Sequence, residues 1–335
     1  STRRRMRQLQ TDYQWAEQLV FRKNGHQLII VGVKYVGGVT RSMSVQTLDL
    51  ALVEPLPDPW LSIEGKALIV ADGKGQRIGM ARQFEYSLDV ISVCKFKRDL
   101  PPRFRSLQSQ MHGVNHVAIE SRAKMLAAAG NVRADESEFR TYVIDESELG
   151  TYVFDQIPPP ESYCICVWDI QSGVMRNRFP VYPLEALALS PQGGHLATAD
   201  KTGINLRLYE VNDHPVCFSL DYNDAFRLAF SERGRYLASG GRSIVIWDVA
   251  AKRRVATFRG QDEDVPSLAF SPDERILAVA RTDGPVEFWD VQTGQLVRRY
   301  EWNIGRLGAI AFAPDGLTCA VAGDRGRIVI WDVDE

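Results

Sequence analysis

The chain has 335 residues, 45% of them hydrophobic and 24% charged, with 40 Lys and Arg against 42 Asp and Glu, for a formal net charge of −2. So even a balance gives no global attraction to nucleic acid or to an anionic membrane, and no apolar run reaches the roughly 18 residues that a membrane span requires. Length alone would suggest about two domains, but the pattern along the chain overrides it.

Residues 3–10 have no earlier strand to pair with. Gln18–Phe21, a turn at Asn24-Gly25, Leu28–Val31 and Ser44–Asp49 then read as three successive strands, the second hairpin lying around Gly37-Gly38. Pro55, Pro57 and Pro59 mark an irregular connection. After it, Ala67–Val70, a turn at Asp72-Gly73, Ile78–Ala81 and Asp89–Phe96 repeat the scheme, and Pro101-Pro102 ends that unit. A third unit has Val117–Ile119 and Met125–Ala129, but Cys164–Asp169 follows only after a long insertion. That insertion, residues 131–161, holds eight acids and two arginines, and Phe139–Asp145 with Thr151–Ile157 predicts a hairpin inside it. Long loops in compact domains are often functional.

Four regular units follow, beginning at Leu187, Leu228, Leu268 and Ile310 and reaching Tyr209-Glu210, Trp247-Asp248, Trp289-Asp290 and Trp331-Asp332. The steps from Trp247 to Trp289 and from Trp289 to Trp331 are both 42 residues, and a fixed period of this size means a repeat array. In the sixth unit the strand ending at Phe270 meets Ser271-Pro272-Asp273, where Pro presets a turn and Asp bonds its own backbone. Ile276–Ala280 is a continuous apolar run, as for a strand buried on both faces. Thr282-Asp283-Gly284 reverses the chain again, Val286–Trp289 alternates, and Leu296–Tyr300 is a more polar fourth strand. Such a small sheet cannot bury its own faces, and radial stacking solves this as a β-propeller. Seven first-strand cores predict an all-β, seven-bladed propeller of four-stranded antiparallel blades. It forms one domain over residues 1–335, with residues 131–161 inserted in the third blade. The last unit lacks a fourth strand, and Met6–Leu9 aligns with Val297–Tyr300. The N-terminal strand is therefore expected to complete the last blade, closing the ring and removing two open sheet edges.

The Phe-Ser-Pro-Asp and Trp-Asp motifs resemble the WD-repeat (tryptophan–aspartate repeat) propeller family, strongly over residues 184–335 and more weakly over 1–183. Many members of that family carry a Gly-His pair before the first strand, whose His joins a network with Ser or Thr, Asp and Trp. Here Gly260-Gln261 and Gly113-Val114 lack the His, while Asp200, Asp283 and Asp324 keep the hairpin acid. The side-chain network is thus expected to be mostly lost, leaving stability to apolar strands such as the one containing Phe270. The resemblance also implies that the loops leading into first strands share a top rim with the loops joining second and third strands. By that rule Tyr13, Trp15, Trp60, His112, Tyr182, Tyr222 and Trp302, together with the acidic insertion, stand on the top rim. Aromatic side chains ringed by polar groups are what binding hot spots look like.

The expected function is a non-catalytic scaffold binding a protein or peptide on that rim. No Ser elbow, phosphate loop, dinucleotide turn or zinc-binding helix motif is present, and no cofactor or metal is expected. The alternative is a hydrolase or lyase with a site in the central channel around His112 or His116. A nucleic-acid role would have to use Arg3–Arg7 with Lys95, Lys97, Arg98, Arg103 and Arg105, but the balanced charge favours ordinary solvated strand charge. Cys94, Cys164, Cys166, Cys217 and Cys319 are an odd number, mostly in strand-like runs, the pattern of buried free thiols in a reducing compartment. A cytoplasmic monomer that engages neither nucleic acid nor membrane is therefore expected.

Overall fold

A computed structural model describes residues 7–36, 40–50, 59–64, 67–82, 90–95, 103–107, 111–120, 122, 124–133, 161–201, 205–212, 216–220, 225–259 and 264–333. These residues form seven four-stranded antiparallel sheets arranged as the blades of a ring, with almost no helix. The innermost strands are Trp15–Phe21, Ala67–Ala71, Met111–Glu120, Leu184–Leu189, Arg227–Phe230, Ser267–Phe270 and Leu307–Phe312. Each is followed by a mostly apolar second strand, interrupted by Thr198 in the fourth blade and Ser239 in the fifth. Leu28 to Val31, Leu126 to Ala129 and Leu277 to Ala280 are fully buried. Burial on both faces is what a middle strand packed between two neighbouring blades demands.

The seventh blade is closed by the chain start. Arg7–Gln10 pairs antiparallel with the third strand Arg327–Asp332, Leu9 opposite Ile328 and Arg7 opposite Ile330. The seam is sealed by apolar contacts: Tyr13, Leu19, Phe21 and Leu28 of the first blade pack with Ala309, Ala320, Ile328 and Ile330 of the seventh, with Leu9 against them. The other clusters also lie between adjacent blades. Cys164, Cys166 and Trp168 of the third blade meet Ile91 and Val93 of the second, and burial pushes the Cys166 thiol up to about 12. Phe288 of the sixth blade sits among Tyr300, Phe312 and Trp331, with ring centroids 5.2, 5.3 and 6.3 Å away.

Three expectations change. Phe270 is half-buried, because its strand ends at the mouth of the channel; Phe288, 1% exposed, is the better core residue. The Pro-rich connection after the first blade leads into an outer strand, Leu61–Glu64, which pairs with the third strand at Val45–Leu61 and Met43–Ile63. The side-chain network is partly rebuilt with other residues: Trp247 Nε1 donates to Ser239 Oγ at 3.0 Å. In the sixth blade Arg281 Nε and Trp289 Nε1 both donate to Glu287 Oε2, at 2.8 and 3.2 Å. The hairpin expected within 131–161 and the Gly37-Gly38 turn lie outside the described residues.

Candidate functional site

Because the strands alternate in direction, the connections leading into each innermost strand share one face, the upper, with those joining second and third strands. Trp302 stands there, between the outer strand Leu296–Tyr300 and the innermost strand of the seventh blade. Its indole stacks on Tyr300 with centroids 5.6 Å apart and planes 7° from parallel, and lies tilted on Trp331 at 5.1 Å. The indole N–H is buried and finds no acceptor among the described residues, which costs about 1–3 kcal/mol. Beside it opens a cavity of about 430 Å³ between the sixth and seventh blades, lined by Asp283, Arg299, Glu301, Trp302, Arg306 and Asp324. Arg306 faces Asp283 at 3.6 Å and Arg299 faces Glu301 at 3.5 Å, all with exposed side chains, so these pairs are weak and open to exchange.

Tyr182 is 56% exposed on the same face, with the Arg207 guanidinium 5.6 Å from its ring centroid. Trp15 is half-buried at the start of its strand. Its ring lies where a Cβ on Gly308 would come within 3.0 Å, so glycine at 308 makes room for the indole.

The remaining rim residues fall elsewhere. Tyr13 is only 4% exposed; its ring covers Gly32, where an added Cβ would lie 2.6 Å from it. Burial pushes the phenol up to about 12. It is a core side chain of the closing seam and not a surface anchor. Trp60 precedes the outer strand Leu61–Glu64, on a connection between third and fourth strands, which belongs to the lower face. It packs with Leu61, Ile63 and Phe104 against a core cluster, so it leaves the upper rim. His112 falls within the innermost strand of the third blade, opposite Asn131; its side chain, like all of Tyr222, lies outside the described residues. Sequence reasoning missed the ion pairs beside Trp302, since Asp283 and Arg306 are 23 positions apart and meet only across a blade boundary.

Around the channel, His116 is half-buried and its Nε2 lies 2.9 Å from the carbonyl of Glu185, to which it must donate. Nδ1 lies 2.9 Å from Asn115 Oδ1, and burial lowers the imidazole's proton affinity. The Arg105 guanidinium donates to backbone carbonyls of the neighbouring blade, including Ser172 O at 2.6 Å, and is thereby committed to structure. Among the described residues no group of three or more His, Cys, Asp or Glu side chains is placed to hold a metal, and no helix is long and apolar enough to cross a membrane.

Comparison with known proteins agrees with this architecture. The family described as the anaphase-promoting complex subunit 4 WD40 domain matches residues 242–305, from the third strand of the fifth blade to the connection that leads into the seventh. The WD repeat-containing protein SL1-17 of Schistosoma mansoni is 29% identical over 124 residues, which cover 36% of this chain and 41% of that relative. The match thus spans less than half of the curated relative's length. Together with seven four-stranded blades and the Trp-Asp spacing, these matches decide the family. The chain is a WD-repeat β-propeller. Propellers of this family generally mediate protein–protein contacts and are generally non-catalytic scaffolds.

Proposed function

We propose that this WD-repeat propeller is a non-catalytic scaffold that binds a protein or peptide partner on its upper rim, with Trp302 at the centre of the contact, Trp15 at the entry to the adjoining first blade and Tyr182 farther round the same face. The supporting observation is the cavity next to Trp302: a large ring with an unpaired donor, edged by solvent-exposed ion pairs. An aromatic anchor inside a polar rim is the arrangement that concentrates binding energy in interfaces. Tyr222, His112 and the acidic insertion 131–161 share this face by chain order and join the same surface in this reading. A hydrolase or lyase site in the channel gains no support from His116, whose Nε2 is committed to a backbone carbonyl.

The test is co-purification with the full-length protein. Trp302→Ala, Tyr222→Ala and deletion of 131–161 should each weaken or abolish recovery of a bound partner. Retention by all three variants would refute the upper rim. The reading also takes the protein as a cytoplasmic monomer that engages neither nucleic acid nor membrane, to be checked by sedimentation and cell fractionation; its support is the net charge of −2 and the free, mostly buried cysteines.

A further inference from the structure

The lower mouth of the channel is built from the ends of all seven innermost strands and the turns after them, and its two sides differ in chemistry. Blades four to seven supply an apolar arc: Phe230, Phe270 and Phe312, each half-buried, with Pro191, Pro272 and Pro314. Blades one to three supply Lys23, Lys74, Glu120 and Arg122, together with the buried ring of Phe21. Glu232 reaches across from the fifth blade and is shared by Arg122 at 2.9 Å and Lys74 at 3.1 Å. Lys23 is exposed and has no ion pair among the described residues.

The balance of charge favours an anion. Glu120 is pushed up to about 8 by burial first and by the neighbouring Asp72 second, with Glu232 adding to the rise and Arg122 and Lys74 opposing it. It is therefore largely neutral near pH 7. Asp72 is buried behind the turn, its carboxylate held by the backbone N–H groups of Gln76 and Arg77. Three cations then face Glu232 at the mouth and Asp72 behind it, which leaves a positive excess. The cavity is about 200 Å³, below the roughly 300 Å³ at which sites for drug-sized ligands begin. The mouth itself has room for one apolar side chain, and six of its lining residues, Phe230 and Phe312 among them, also line the channel cavity of about 390 Å³.

We propose that this lower mouth docks an acidic segment of a partner protein, which seats one aromatic or branched apolar side chain against Phe230, Phe270 and Phe312 and pairs an adjacent Asp or Glu with Lys23, Lys74 and Arg122. Glu232 marks the position of the incoming carboxylate and competes with it. The proposal rests on the reading of the chain as an interaction scaffold, but it uses the face opposite Trp302 and stands or falls separately from the upper rim.

The experiment is selection from a random short-peptide library on the immobilised full chain, followed by fluorescence anisotropy with the best peptide. Selected peptides should pair an apolar residue with neighbouring Asp or Glu. Arg122→Glu should weaken the best peptide by at least about tenfold, as expected for reversal of an interface charge. Glu232→Gln should tighten it by freeing both cations. Affinity should fall as the pH rises through about 8, where Glu120 becomes charged, and Glu120→Gln should remove that fall. Arg122 is 43% exposed in its side chain, so its variant should fold, and an unchanged thermal melt verifies this. Tyr182→Ala and Trp302→Ala should leave this peptide's affinity unchanged. No enrichment of apolar–acidic pairs, enrichment of basic peptides, or indifference to both Arg122→Glu and Glu232→Gln would overturn the proposal. A peptide lost only on Trp302→Ala would overturn it too, while favouring the upper rim.

Discussion

The first three blades and the last four arrive at the same sheet through different side chains, and the turn after the innermost strand shows how. In the fourth, fifth and sixth blades a serine follows that strand, and its hydroxyl accepts the backbone N–H five residues on: Ser190 from His195 at 2.9 Å, Ser231 from Tyr236 at 3.0 Å, Ser271 from Ile276 at 2.9 Å. In the second blade Asp72 holds that place and accepts from Gln76 at 2.6 Å and Arg77 at 3.2 Å. In the first blade Arg22 and Gln27 instead bond each other side chain to side chain at 2.8 Å. The backbone does not vary. Arg22, Asp72, Ser190, Ser231 and Ser271 each donate their N–H to the carbonyl five residues on, at 2.8 to 3.1 Å. Three residues further along, φ is positive, at Gly25, Gly75, Gly193, Gly234 and also Glu274. The shared requirement is the tight reversal; which polar side chain completes it is open to exchange. The Trp column behaves likewise. Leu48 and Cys94 stand opposite Leu28 and Ile78 as Trp247 and Trp289 stand opposite Leu237 and Leu277.

If the two groups of blades are equivalent where it matters, core truncations should hurt both alike. Phe288→Ala removes a ring that is 1% exposed and should cost about 3–5 kcal/mol. Ile29→Ala, in a fully buried middle strand of the first blade, should cost about 2–5 kcal/mol. Denaturant unfolding measures both. An Ile29→Ala effect near zero would separate the first blades from the rest. Glu287→Ala is expected to match the larger figure by another route. It removes the carboxylate paired with Arg281, whose side chain is 1% exposed, and breaking a buried pair from one side costs about 3–5 kcal/mol. The double change Arg281→Met with Glu287→Leu should lose less than Glu287→Ala alone, because no uncompensated charge is left in the core.

The last four blades, the closing strand and the seven-fold count were legible because a fixed period and mostly apolar middle strands survive in the sequence. Apart from Leu296–Tyr300 and the closing strand, the outer strands were not. Leu61–Glu64 alternates Leu61 and Ile63 with Ser62 and Glu64, but over only four residues directly after three prolines that read as an irregular connection, and this sets Trp60 on the wrong face. Glu287 read as the polar member of an alternating strand. Only its separation by two from Trp289 places both on one face of the strand, and only the fold brings Arg281 to it. Tyr13 looked like a rim aromatic because its partner is an absence, the missing side chain of Gly32 on the next strand. The cavity beside Trp302 was half legible: the ring could be named, whereas the charges around it come from both sides of a blade boundary.

Smaller effects should sharpen the comparison at the Asp that follows the Trp column. Asp169 in the third blade accepts from the backbone N–H groups of Gln171 and Ser172 at 2.9 and 2.7 Å, and Asp290 in the sixth accepts from Gln292 and Thr293 at 3.0 and 2.7 Å. The Ser172 backbone bond is the main reason that Asp169 is held down at about 2; the Thr293 bond lowers Asp290 in the same way. Since both folded-state values lie below the ordinary 3.8, the folded protein binds these protons less tightly than the unfolded chain. Their contribution to stability is complete above about pH 4 and is lost as the pH falls, for Asp169 toward 2. Asp169→Asn and Asp290→Asn should each flatten that acid limb, with similar slopes if the third blade uses its acid as the sixth does.

The smallest effect belongs to the second blade's turn. Asp72→Ala leaves the N–H groups of Gln76 and Arg77 without their side-chain acceptor and should cost about 1–2 kcal/mol. Asp72→Ser installs the acceptor used by the fourth to sixth blades, and it should recover most of that loss if the side chains are interchangeable. It also removes a carboxylate that raises Glu120, so the titration of Glu120 should move down even as the turn is preserved. Stability measured by urea unfolding, together with the carboxyl titration followed by NMR, reads the two consequences separately. If Asp72→Ser is as damaging as Asp72→Ala, the turn of the second blade depends on the geometry or charge of aspartate itself, and the equivalence between the two groups of blades stops at the backbone.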